Sequence, residues 1–240
     1  MVEAFLWGLF GAAFLLVGAW WAYRFDPSRA LIAVVMAIGS GLLIGSVAYE
    51  LVEEALKSQT VGRVGIFVLL GACTFAAGDW LISRQGGAER KDPGGEQSSG
   101  SPKGIVLGSI LDGIPESFVL GLTVLQGALS LPLLAGIALS NLPEAIASSS
   151  GLKAAGWAPR RVYLMWTAVT LAAAISAAAG YLMLDPASGL TGALTQAFAG
   201  GALMAMVADE LLPEAYEVEG VLTGVLLVAG FAISLLLGAL

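Results

Sequence analysis

Apolar runs of bilayer-spanning length recur from one end of this chain to the other. A membrane helix needs roughly 20 consecutive apolar residues to cross the hydrocarbon core. Eight such runs are legible, near 3–23, 29–56, 63–83, 104–126, 130–152, 160–183, 189–215 and 219–240. Little sequence remains between them, so the pattern predicts one transmembrane domain over residues 1–240 and no soluble domain. Only 12% of the residues are charged, half the roughly 25% usual in soluble domains. The expected fold is an all-α polytopic membrane protein.

The rest of the composition removes several function classes. No basic patch offers a nucleic-acid surface. The single cysteine, Cys73, excludes an internal disulfide. The chain has no histidine, which removes the commonest ligand for zinc and copper and the commonest general base at neutral pH. No positive segment precedes the first run, whose basic residues Arg24 and Arg29 follow it. It therefore reads as a retained first helix, not a cleaved signal peptide.

Lys and Arg set the expected orientation. With both termini outside, the inner segments hold Arg24, Arg29, Arg84, Arg90, Lys91, Lys103, Lys153, Arg160 and Arg161, and the outer segments hold only Lys57 and Arg63. Residues 84–103, rich in Gly, Ser, Pro and mixed charge, read as a flexible cytoplasmic loop. Trp20, Trp21, Trp80 and Trp157 fall near span ends and read as interfacial belt residues. The expected location is a plasma membrane, of the prokaryotic inner-membrane kind, crossed many times.

Two stretches of the chain echo two others. GSGLLIGSVAYELVEEAL (39–56) aligns without gaps to AGGALMAMVADELLPEAY (199–216), matching Gly41 to Gly201, Val47 to Val207, Glu50 to Glu210 and Glu54 to Glu214. ILDGIPES (110–117) aligns with ALSNLPEA (138–145). In each case the two spans run in opposite directions. The echoes together describe a 3+2+3 inverted repeat, an arrangement that places a transporter's substrate site at the repeat interface.

Chemistry concentrates in the second echo. Asp112 and Glu116 are four residues apart and share a helix face, and Ser140 and Glu144 repeat that spacing. Glu116 and Glu144 both fall near the middle of their spans. An ionised side chain there costs about 2.5–3.5 kcal/mol on insertion scales, and residues 104–152 contain no basic residue to offset it. A bound cation, protons or a water-filled cavity must do so. Pro115 and Pro143 precede the glutamates and are expected to kink both helices, freeing the carbonyls of Leu111 and Leu139. Further carboxylates extend this centre into an acidic path. Glu50, Glu53 and Glu54 stand at the expected outer entrance, and Asp209, Glu210 and Glu214 at the inner exit.

These motifs resemble those of the Zrt/Irt-like (ZIP) family of divalent-metal transporters. That family has eight spans, outside termini, a cytoplasmic loop after span three, and motifs of the form H-N-x-P-E-G and H-(D/E)-x-P-E-G in spans four and five. Here those positions read Asp112-Gly113-Ile114-Pro115-Glu116-Ser117 and Ser140-Asn141-Leu142-Pro143-Glu144-Ala145. The chain would be a histidine-free, divergent member. The resemblance implies a metal site on Asp112, Glu116 and Glu144, assisted by Ser140 and Asn141, and an elevator-like motion in a homodimer. The family's second metal draws a glutamate from span six. That span has no acid here, and Thr167 and Thr170 are its best polar candidates.

The expected function is movement of a divalent cation across the bilayer toward the cytoplasm, with no enzymatic activity. Manganese, zinc, iron, magnesium and calcium all stay open as the substrate, oxygen ligands favouring the harder ions. Two rival readings are a non-transporting relative that binds or senses metal, and an intramembrane enzyme built on paired carboxylates.

Overall fold

The apolar runs become helices. In the computed structural model, which describes residues 1–25, 27–84, 102–125, 129–183 and 189–239, every long element is helical and no strand occurs among the described residues. The elements are α1 (Val2–Ala12), α2 (Phe14–Arg24), α3 (Arg29–Ser46), α4 (Glu53–Ser58), α5 (Val61–Ile82), α6 (Pro102–Leu125), α7 (Leu131–Ala154), α8 (Pro159–Met183), α9 (Gly189–Met206), α10 (Leu212–Glu219) and α11 (Leu222–Gly238). A π-helical segment, Val47–Val52, joins α3 to α4, and a second, Val207–Leu211, joins α9 to α10.

Six helical rods are long and apolar enough to cross a membrane: Val2–Arg24, Arg29–Ser58, Val61–Ile82, Leu107–Leu125, Leu131–Ala154 and Pro159–Leu182. α11 is apolar but shorter, at 17 residues. The 84–103 loop lies outside the described residues except at its ends. Large apolar side chains cover the outward faces of α5 and α11, among them Ile66, Leu69, Val225, Val228 and Leu236. Soluble proteins rarely expose apolar surface so continuously. Lipid is the solvent that suits it.

The main packing partners are not neighbours in sequence. α3 lies along α11, α5 along α9, α6 along α8, and the α1–α2 rod along α7 and α8. Small residues permit these contacts, as expected where no hydrophobic drive separates helix from lipid. Gly71 on α5 and Gly201 on α9 show it reciprocally. A Cβ on Gly71 would overlap the Phe198 carbonyl, and one on Gly201 the Val68 carbonyl.

α3 and α9 also meet each other, in a reciprocal way. The first π-segment packs on α9 beside Gly200. The second π-segment and α10 pack on α3. The largest buried apolar cluster forms here and continues onto α6 and α7. It includes Met36, Leu43, Val47, Leu120, Leu133, Ile137, Leu203 and Leu211. A second cluster, around Trp166, joins α1, α2, α7 and α8.

The first rod is broken at Ala13, between α1 and α2. The Leu16 amide reaches Ala13 O, one residue short of the α-helical acceptor. Side chains of other helices serve the carbonyls at the break. Thr170 Oγ1–H donates to Ala12 O at 3.1 Å, and Asn141 Nδ2–H donates to Gly11 O at 3.2 Å. Irregular backbone at membrane depth survives only when its polar groups find such partners.

Basic side chains meet aromatic rings near several helix ends. The Arg161 guanidinium stacks on Trp157 at 3.6 Å, and Arg84 on Trp80 at 3.7 Å. Lys153 donates to Ala22 O and Tyr23 to Trp157 O. Trp20 is exposed, as a belt residue should be, but Trp21 turns inward against the main cluster. A residue one step along a helix points about 100° away, so adjacent tryptophans cannot share the lipid face.

Candidate functional site: a buried carboxylate centre between α6 and α7

α6 and α7 carry the two Pro-Glu motifs and keep their helical course through Pro115 and Pro143. On α7 the chain starts well: Ser130 caps the helix by accepting from the Leu133 amide at 3.0 Å, and Pro132 sits in the first turn. The five residues expected at the centre are all buried. Asp112, Glu116 and Glu144 are 2%, 1% and 3% exposed, and Ser140 and Asn141 are buried with them.

Hydroxyl groups bind the two glutamates across the helix pair. Ser109 Oγ–H on α6 donates to Glu144 Oε1 on α7 at 2.5 Å. Ser140 Oγ on α7 approaches Glu116 Oε1 on α6 at 3.4 Å, while also bonding Ile137 O at 3.0 Å. Each helix thus supplies one carboxylate and one hydroxyl to the other. A hydroxyl satisfies a carboxylate lone pair without adding charge.

Of the two carbonyls that the prolines free, that of Leu139 lies against Gly39 of α3. The Ile114 carbonyl, just before Pro115, accepts from Ser176 Oγ on α8 at 2.8 Å. Leu139 O therefore sits at a helix contact.

Ser109 and Ser176 were not singled out from the sequence. Ser109 stands three residues before Asp112 and seven before Glu116, the spacing of one helix face, so periodicity alone could have found it. Ser176 carries no such mark. Asn141 has a different part from the one expected: its amide nitrogen holds the break in the first rod, leaving only Oδ1 as a further acceptor. In span six, Thr170 is buried at that same break, whereas Thr167 is exposed and bonded to Tyr163 O.

The expected entrance and exit residues divide by position. Glu50 is half-buried in the first π-segment and accepts a hydrogen bond from Ser130. Glu53 is exposed, and Glu54 pairs with Lys57 at 2.5 Å. A pocket of about 420 Å³ opens there, lined by Tyr49, Glu50, Glu54, Thr123, Ser130 and Leu237 among others. In the second π-segment Glu210 is buried and Asp209 exposed, with Glu214 half-buried on α10. Among the described residues, no three acidic or cysteine side chains gather closely enough to form a metal site by themselves. Any cation at the centre would need hydroxyl, amide, carbonyl or water oxygens beside the carboxylates.

The geometry defines a class: an all-helical protein with six helices long and apolar enough to cross a membrane, enclosing a buried carboxylate–hydroxyl centre. The chain matches no protein-family model, and no curated protein is similar to it in sequence.

Proposed function

We propose that the protein is a multi-pass membrane carrier that moves a divalent cation toward the cytoplasm through the Glu116–Glu144 centre. One observation carries this reading. Two glutamates, at most 3% exposed, sit on facing proline-containing helices and are held by hydroxyls from the opposite helix. Carboxylates are costly at such depth, each by about 3 kcal/mol on insertion scales, and side chains of this kind within membrane segments mark ion and substrate paths. A cation that comes and goes gives them a purpose.

The coordination would be oxygen-only and mixed: Glu116 and Glu144 with the hydroxyls of Ser109 and Ser140 and with water, Asp112 joining by a shift of its side chain or through a bridging water. Such a set suits hard ions such as manganese, magnesium or calcium, while zinc and ferrous iron also accept carboxylates. Ligand exchange with water is easier for such oxygen donors than for a closed cage of thiolates, which suits release.

The eight-span, 3+2+3 inverted-repeat reading belongs to the same proposal. It is supported by correspondences that the echoes alone do not require. Both π-segments start at aligned residues, Val47 and Val207. The α3–α11 contact has its counterpart in α9–α5, and the α6–α8 contact in α7 with the α1–α2 rod. The excess of Lys and Arg in the segments that include Arg84 and Arg161 supports a cytoplasmic face there and both termini outside. A prokaryotic plasma membrane and a homodimer complete the reading, the dimer resting on the ZIP resemblance.

The test is flux. The purified chain is reconstituted in liposomes containing a metal-sensitive dye, and a panel of divalent ions is added outside. Uptake of at least one ion, lost in Glu116→Ala and Glu144→Ala, is the expected result. No uptake of any ion would end the carrier reading, and uptake intact in both variants would move the site elsewhere. Metal binding without uptake would indicate a sensor.

A further inference from the structure

The mouth pocket and the carboxylate centre are separated in a specific way. Glu116 lies on α6 and Glu144 on α7, and Ser130 begins α7, so the pocket is roughly 20 Å from Glu144 along the helix at 1.5 Å per residue. The intervening turns are apolar and closed. Leu120 on α6, Leu133 and Ile137 on α7, and Leu43 and Val47 on α3 and its π-segment are each at most 2% exposed, and all belong to the main buried cluster. Buried polar residues flank this layer: Thr123 lines the pocket, Ser117 and Ser140 stand beside the centre, and Ser109, Asp112 and Ser148 lie beyond it.

Two features fasten this closed side. Glu50 accepts a hydrogen bond from Ser130 Oγ–H, tying the π-segment after α3 to the first residue of the α7 cap. The same hydroxyl oxygen accepts from the Leu133 amide, so the contact reaches directly into the helix that bears Glu144. The π-segment sets the geometry. Its i→i+5 bonds insert an extra residue into the turn, so Glu50 faces α7 while its neighbours Ala48 and Tyr49 stay exposed.

We propose that Glu50 and Ser130 form the latch of a gate, closed here, over the apolar layer of Leu43, Val47, Leu120, Leu133 and Ile137. Glu50 and Ser130 are positioning residues, holding α7 against α3 and meeting no cargo at the centre. Opening requires that bond to break and α7 to part from α3, which admits water from the mouth pocket to the centre. The inference rests on the carrier reading for its purpose but not for its test.

The experiment uses the full chain in lipid nanodiscs, with Cys73→Ser to remove the native thiol and Leu120→Cys as a probe one turn from Glu116. A water-soluble maleimide reports how often the apolar layer opens. Labelling is expected to be slow in this background. It should accelerate about tenfold in Glu50→Ala and in Ser130→Asp, the shift expected from losing one hydrogen bond to a carboxylate. Ser130→Asp keeps the helix cap but sets a second carboxylate against Glu50. Ser130→Asn keeps both cap and donor and should stay slow. Fast labelling in the background, no acceleration in folded Glu50→Ala or Ser130→Asp, or acceleration in Ser130→Asn equal to that in Ser130→Asp would overturn the latch. Labelling needs no transport. A chain that gates but carries no ion would therefore refute the carrier alone, and one that carries ions with unchanged labelling would refute the latch alone.

Discussion

Ser109 and Glu144 are 35 residues apart in sequence and 2.5 Å apart in space, joined by a hydrogen bond from the α6 hydroxyl to the α7 carboxylate. This bond holds the Glu144 half of the centre. Its counterpart, Ser140 to Glu116, is longer at 3.4 Å. The two halves of the site are alike in composition and unequal in tightness.

That inequality predicts unequal mutational costs. Ser109→Ala leaves a buried carboxylate oxygen without its hydroxyl and should cost about 1.5–3 kcal/mol, the range for a hydrogen bond to a charged group. Ser140→Ala breaks a longer contact and should cost about 1 kcal/mol or less. Thermal unfolding of the two variants in the same detergent checks the order. Equal losses would show that the 2.5 Å bond has no special weight.

Asn141 and Thr170 should behave as a pair. Both donate to carbonyls at the break in the first rod, Gly11 O and Ala12 O. Asn141→Ala and Thr170→Ala are each expected to cost about 0.5–1.5 kcal/mol. The double variant should deviate from additivity, because adjacent carbonyls at one break share their relaxation. A double-mutant cycle measures it. Retained ion binding in Thr170→Ala is also expected, since this hydroxyl serves the backbone.

Glycines at helix contacts should divide sharply from glycines facing outward. Gly71→Ala and Gly201→Ala place a methyl on a backbone carbonyl of the paired helix and should each destabilise by about 1–3 kcal/mol, the usual cost of overpacking. Gly62 and Gly65 on α5 have open space around them, so their alanine variants should be neutral or slightly stabilising. Thermal melts of the four single variants decide this.

Removal of one residue from the first π-segment should restore an ordinary α-helical turn. Deleting Ala48 rotates Glu50 by about 100° relative to α3 and carries it away from Ser130. The α3–α11 contact precedes the deletion, so the folded state should persist. Expected is the same accelerated maleimide labelling of Leu120→Cys as in Glu50→Ala. Unchanged labelling would show that the π-turn does not position Glu50.

The helical class was legible because the bilayer leaves few choices. Apolar runs such as 63–83 must satisfy every backbone group internally, and α5 follows that run closely at Val61–Ile82. The buried centre was legible for a related reason. Asp112, Glu116 and Glu144 sit in runs with no basic residue, and such residues face the bundle interior. Composition alone did not say that, of the adjacent tryptophans, Trp20 is exposed while Trp21 packs on the main cluster. The π-segments left no trace in residue type, since a widened turn follows from packing between α3 and α9, not from local propensity.

The sequence by itself determined the helices, the buried carboxylates and the echo between residues 39–56 and 199–216, since these depend on local pattern and on the cost of charge in hydrocarbon. Only the tertiary structure decided which helices pair, and therefore that Ser109 meets Glu144, that Ser130 meets Glu50 and that Asn141 serves Gly11. Each of these bonds joins groups on different helices. Their meeting depends on packing of small residues across whole helix faces, a collective fit that no single stretch of sequence contains.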